Sequence, residues 1–163
     1  MRSRMKGIGL ICWGLRVLVA ACLVADAIVH LRLAGRYGMA SAPGHLSEGL
    51  LFRAEAIVAL VVALVVLVLG NRAAFAAAFI VAGSACVAVV LFRYVDVPAF
   101  GPVPAMYEPI WFGEKTVSAV AEGLGAVLSA IGFVHACAAA HKGRHAARDQ
   151  RQNPTRPRPN RAP

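Results

Sequence analysis

Three carboxylates interrupt long apolar stretches of the sequence. Asp26, Glu55 and Glu122 each have mostly apolar neighbours on both sides. Ionisable residues inside membrane-spanning helices are rare, and they commonly mark proton, ion or substrate sites. At 1.5 Å per residue, all three fall roughly 8–11 Å below the same predicted membrane surface. The sequence therefore predicts one intramembrane polar cluster, with these members: Asp26, His30, Glu55, Arg93, Asp96 and Glu122.

Residue spacing supports this cluster. His30 follows Asp26 by four positions and shares its helix face. Around Glu122, small and polar residues recur every three or four positions, among them Ser118, Gly125 and Ser129. Such seams face other helices rather than lipid, so we expect Glu122 to point into a bundle.

Three interpretations of the cluster remain open. In the first, His30, Arg53 or Arg93 pairs with the acids and fixes the helix packing. In the second, the acids bind a proton or cation, because burial disfavours the charged carboxylate.

The third interpretation is a divalent-metal site. Its weak candidate ligands are Asp26, His30, Glu55 and Glu122, since carboxylate and imidazole ligands from bundle helices suit such metals. The sequence has no Glu-x-x-His or HExxH motif and no second histidine at this depth, so no metal is predicted.

Other cofactor chemistry has little support. The four cysteines are not closely paired, which argues against a disulfide-forming quinone enzyme; they are Cys12, Cys22, Cys86 and Cys137. His30 and His135 differ in depth by roughly 25 Å, too far to share one haem. No nucleophile–base pair or cofactor-binding loop is visible, so we predict no cofactor and have no grounds for an enzyme.

The elements that position these residues are membrane helices. The chain has 163 residues, of which 59% are hydrophobic and 15% charged, with a mean hydropathy of +0.66. Soluble domains average about 25% charged residues. Four segments approach the length of about 20 apolar residues that crosses a bilayer. The sequence predicts an all-α, antiparallel bundle of four transmembrane helices within residues 1–140, at about 10–33, 50–69, 73–92 and 116–138.

The connections differ in length. Gly70, Asn71 and Arg72 form a tight turn between the second and third helices. The loop from Arg93 to Lys115 contains four prolines, which exclude a regular helix through most of it. We interpret its aromatic residues as a membrane-interface belt, with a lid over the acids as the alternative.

Basic residues predict the orientation. The N-terminus, Arg72 and the tail of residues 141–163 all fall on one side of a four-helix topology, which favours both termini in the cytoplasm. The tail is rich in arginine and proline, and we predict that it is disordered. It is suited to contact with anionic lipid rather than to specific nucleic-acid binding.

The stretch Val19-Ala20-Ala21-Cys22 is similar to a lipoprotein cleavage box, but the apolar run continues beyond it, and we expect no cleavage there.

One stretch supports a resemblance. ADAIVHLRLAGRYG followed by GLLFRAEA resembles the first hairpin of small four-helix membrane proteins of high-GC bacteria, with His30-Leu31, Tyr37 and Leu51-Phe52 at the matching positions. The architecture is also loosely similar to DoxX-like proteins. The resemblance covers about the first 60 residues and implies a fold but no activity. We expect the chain to lie in a bacterial inner membrane, and we predict an accessory subunit that binds partner membrane proteins or a second copy through its small-residue seams. The alternative is a small transporter or ion-binding protein that uses Asp26, Glu55 and Glu122.

Overall fold

A computed structural model of the chain contains four α-helices. It describes the backbone of residues 2–38 and 46–152, and the side chains of residues 10–38 and 46–136. The helices are α1 (Arg2–Tyr37), α2 (Glu48–Leu69), α3 (Arg72–Tyr94) and α4 (Gly113–Gln152). No strand is present among the described residues, which confirms the predicted all-α fold class.

Local sequence signals explain where α2 and α3 begin and end. The Ser47 side chain accepts a hydrogen bond from the Leu50 amide, and the Asn71 side chain accepts one from the Ala74 amide. Both satisfy amides that a helix start leaves without partners. Gly70 ends α2 in the left-handed conformation, with φ of 51°, which glycine adopts without steric cost. The turn between α2 and α3 is therefore as short as the sequence predicts.

Helices α1 and α4 are longer than the sequence analysis predicts. In particular, α4 continues to Gln152 instead of ending near residue 138 with a disordered tail from residue 141. Alanine, arginine and glutamine are frequent between residues 138 and 152, and all three are good helix formers. The first proline of the tail, Pro154, comes just after this helix. The rest of the predicted tail, residues 153–163, lies outside the described residues.

The helices form a ring in which each packs against its neighbours in the chain, and α1 closes the ring against α4. The core is built largely from small and branched residues, such as Ala59, Ala78, Val19 and Val66, together with Phe75. We call the end of the bundle with the α2–α3 turn the turn end. The opposite end, where residues 95–112 connect α3 to α4, is the loop end.

The outer surface of the bundle is apolar. Large hydrophobic side chains on all four helices are well exposed, for example Leu64 (61%), Ile80 (66%) and Val134 (65%). All four helices are long and apolar enough to cross a membrane. A soluble monomer rarely exposes an apolar surface of this extent. The chain is a multi-pass membrane protein.

Close packing of α3 on α4 depends on Gly132. A Cβ atom at Gly132 would overlap the ring of Phe75, which is only 4% exposed and has little room to move. We expect Gly132→Ala to lower the free energy of unfolding by about 1–3 kcal/mol, the usual cost of overpacking. Denaturation of the purified protein in mixed micelles measures this. Gly83→Ala is the matched control, because a Cβ there meets nothing within 4 Å. Equal stability of the two variants would contradict the close approach.

Candidate functional site

The structure brings Asp26, His30 and Glu122 together between α1 and α4, and it adds Ser118. Asp26 and Glu122 are each 1% exposed, Ser118 is 2% exposed and His30 is 9% exposed. Asp26 and His30 lie one turn apart on α1, and Ser118 and Glu122 lie one turn apart on α4. The predicted faces of both helices therefore meet inside the bundle. We call these four residues the acid cluster.

Asp26 is the centre of the hydrogen bonding. Its Oδ1 lies 2.6 Å from Ser118 Oγ and 3.0 Å from His30 Nδ1. The same ring nitrogen lies 3.1 Å from the backbone carbonyl of Asp26. Both Asp26 atoms are acceptors, so Nδ1 carries a hydrogen and donates it. Hydrogen bonds from an imidazole and a hydroxyl favour the ionised form of this carboxyl group.

The Ser118 hydroxyl bridges the carboxyl groups of Asp26 and Glu122. Its oxygen lies 2.9 Å from Glu122 Oε1 as well as 2.6 Å from Asp26 Oδ1. A hydroxyl donates only one hydrogen but also accepts. If that hydrogen goes to Asp26, the contact with Glu122 is a hydrogen bond only when Glu122 carries a proton and donates to Ser118. The geometry thus fits an ionised Asp26 beside a neutral Glu122.

The second oxygen of Glu122 has no partner among the described residues. A buried carboxylate without partners pays a large desolvation cost, which is far smaller for the neutral acid. The lack of a partner for this oxygen therefore favours the neutral form of Glu122, as the Ser118 contacts do.

The same atoms offer a set of metal ligands. One ligand atom from each of Asp26, His30 and Glu122 lies within 4.8 Å of the others, close enough to surround a small cation. The imidazole nitrogen nearest the acids, however, already donates to Asp26. Among the described residues only three protein ligands converge, so water would have to complete the shell of a divalent metal. A proton fits this cluster better than a metal ion.

A pocket of about 220 Å³ connects the acid cluster to the loop end. His30 and Ser118 form part of its wall, so two members of the cluster face it directly. The rest of the wall is partly polar, with Tyr37, Glu48 and Glu108, and partly aromatic. We call this pocket the vestibule.

The connection between α3 and α4 covers the vestibule. The Tyr37 hydroxyl donates to Glu108 Oε1 at 2.5 Å, and Lys115 Nζ donates to the Glu108 carbonyl at 2.6 Å. The Glu108 amide in turn donates to Phe92 O at 2.9 Å. Glu108 is therefore tied to α1, α3 and α4, so the loop forms a roof. This agrees with the predicted alternative of a lid.

Apolar packing separates the cluster from the turn end. Val19, Leu23 and Val66 are at most 2% exposed, and Phe75 is 4% exposed. These residues belong to one continuous core on the turn-end side of Asp26. In this structure the acid cluster faces the vestibule and is closed toward the turn end.

The remaining predicted members lie outside the acid cluster. Glu55 is half-buried, its Oε1 has no partner among the described residues, and it is not in the group of converging ligand atoms. Arg93 lies 5.1 Å from the ring of Tyr94, and Asp96 is exposed. Of the basic residues proposed to pair with the acids, His30 does so; neither Arg53 nor Arg93 makes an ion pair among the described residues.

Ser118 was not among the predicted site residues, although it lies on the seam recognised around Glu122. Its position four residues before Glu122 is the signal that would have found it, because that spacing places both side chains on one helix face. Of the cysteines, Cys12, Cys22 and Cys86 are free.

Comparison with protein-family models, curated proteins and solved structures gave no match to this chain. The interpretation of the site therefore depends on its geometry.

Proposed function

We propose that this multi-pass membrane protein binds a proton at the Asp26–Glu122 pair and exchanges it through the vestibule. The observation that carries the proposal is the single Ser118 hydroxyl that bridges two nearly fully buried carboxyl groups. One negative charge beside His30 is compatible with the interior of a membrane protein, but two adjacent carboxylates are strongly disfavoured. The pair then works as one site that holds or releases one proton.

The vestibule gives this site access to one side of the bundle. His30 and Ser118 line its inner wall, and Glu108 and Tyr37 line its roof, so polar groups extend from the cluster toward the loop end. We place the loop end outside the cell, following the positive-inside rule. Proton uptake would then occur from the outer face of a bacterial inner membrane.

The accessory-subunit interpretation has less support. It depended on small-residue seams that would bind a partner protein. On α4 the seam packs inside the bundle: a Cβ at Gly125 would lie 3.3 Å from Cys22 and 3.4 Å from Ala82. On α3, Ala74, Ala78 and Ala82 are buried as well. These seams are used within the chain itself, so we rank proton binding first.

Infrared spectroscopy of the purified protein tests the proposal. We expect the wild-type protein at neutral pH to show the C=O band of a protonated carboxyl group, and we expect Glu122→Gln to remove that band. Glu114→Gln is the matched control, because Glu114 lies on the same helix but pairs with Arg36 at the exposed loop end. Its spectrum should keep the band.

Two results would overturn the proposal. One is a Glu122→Gln spectrum with the same protonated-carboxyl bands as the wild-type spectrum. The other is a stoichiometric divalent metal in elemental analysis that Glu122→Gln removes, since the cluster would then hold a metal ion.

A further inference from the structure

A second pocket lies at the turn end, between α1, α3 and α4. It encloses about 550 Å³. Three basic side chains from three different helices line it: Arg16, Arg72 and His135. The described residues of its wall include no acid. This pocket is separate from the acid cluster and plays no part in the proposed proton site.

The basic groups of this pocket have no counter-ion within the described part of the chain. The chain has 8 acidic residues. All except Asp149 lie either in the half of a helix that is nearer the loop end or in the connection between α3 and α4. Asp149 belongs to the part of α4 whose side chains are not described. Neither Arg16 nor Arg72 makes an ion pair among the described residues. An anion that binds from outside the bundle would therefore neutralise the positive charge of this pocket.

Aromatic rings and the tight turn hold the two guanidinium groups in place. Arg16 lies 5.8 Å from the ring centre of Trp13, and Arg72 lies 5.3 Å from that of Phe133. The Arg16 side chain also packs directly on Gly70, where any Cβ atom would overlap it. A held guanidinium offers paired N–H donors in a plane, the geometry that matches phosphate oxygens.

The position of the pocket favours a lipid over a free ion. Because Arg16 packs on Gly70, it lies at the level where α2 ends and α3 begins, which is the level of lipid headgroups. Val17 and Val134, which are next to Arg16 and His135 in the sequence, are 49% and 65% exposed. They provide a surface along which acyl chains can lie.

We propose that the turn-end pocket binds the phosphate of an anionic phospholipid, with Arg16 and Arg72 as its donors. His135 completes the basic wall. Basic pockets between transmembrane helices are suited to such headgroups. The site would tie one lipid to α1, α3 and α4 together.

Native mass spectrometry of the full-length protein in mild detergent, titrated with phosphatidylglycerol, tests this site. We expect one tightly held lipid per chain, and about tenfold or greater loss of affinity in Arg16→Gln/Arg72→Gln. The matched control is Arg32→Gln/Arg53→Gln, which removes the same charge from exposed positions at the loop end and should keep the tight lipid.

Two further titrations, with a neutral lipid and with inorganic phosphate, identify the ligand. Phosphatidylcholine is expected to bind weakly, and inorganic phosphate is expected not to displace phosphatidylglycerol. Equal binding of the neutral lipid, full displacement by phosphate, or equal loss in the control variant would each overturn the proposal. If the double variant fails to fold, Arg72→Gln alone decides: Arg72 is exposed, and an unchanged lipid affinity in that variant would also overturn the site.

Discussion

Asp26→Ala is expected to lower the free energy of unfolding by about 3–5 kcal/mol, the usual cost of breaking a buried ion pair from one side. The change removes the acceptor for both His30 and Ser118, and it leaves a buried imidazole without its carboxylate. Denaturation of the purified protein in mixed micelles measures the loss.

Two further variants separate this effect from a general loss of charge. Glu114→Ala breaks the pair with Arg36, whose side chain is 64% exposed, and exposed pairs contribute little to stability. Asp26→Leu/His30→Leu removes both partners of the buried pair at once and should be less destabilised than the sum of its single variants. If Asp26→Ala were as stable as Glu114→Ala, the buried pair would have no structural role.

The sequence predicted the elements of the fold well because each depends on local or periodic signals. Apolar length identified α2 and α3 to within about two residues of their ends, and Gly70 with Asn71 fixed the turn. The seam through Glu122 identified the inward face of α4, because a period of three and four residues directly encodes a helix face.

The membership of the site was less predictable, for a physical reason. Depth along a helix can be read from residue number, but the rotation of one helix about its axis relative to another cannot. The sequence predicts a similar depth for Asp26, Glu55 and Glu122, yet only Asp26 and Glu122 come together, because α1 and α4 face each other with these residues in their interface. Glu55 on α2 stays outside the group of converging ligand atoms.

Ser118 illustrates a second limit. Its spacing from Glu122 placed it on the same helix face, but nothing else in the sequence distinguished it from the other small residues of that seam. Its role arises only when α1 places Asp26 within 2.6 Å of it, which is a tertiary contact. With one hydrogen on the bridging hydroxyl, both of its contacts are hydrogen bonds only when one of the two acids carries a proton. The chemistry of the pair therefore depends on a residue that composition and charge alone do not reveal.

Glu122→Gln is expected to abolish proton uptake while leaving the fold nearly intact. Glutamine keeps the size of the neutral acid, and its amide can donate to Ser118 as the protonated carboxyl does. The variant therefore replaces one neutral donor by another, but it cannot release a proton. The experiment records proton uptake by protein in proteoliposomes after an external acid pulse, with a pH-sensitive dye outside the vesicles.

Glu55→Gln is the matched control, because it removes an acid of similar depth that lies outside the acid cluster. We expect its proton uptake to equal that of the wild type. Loss of uptake in both variants would mean that Glu55 belongs to the proton site after all. Normal uptake in Glu122→Gln, with normal stability, would rule out the Asp26–Glu122 pair as the proton site. Collapse of the Glu122→Gln fold would show instead that Glu122 is ionised and locks the bundle, because only the loss of a charge would make the exchange for glutamine costly.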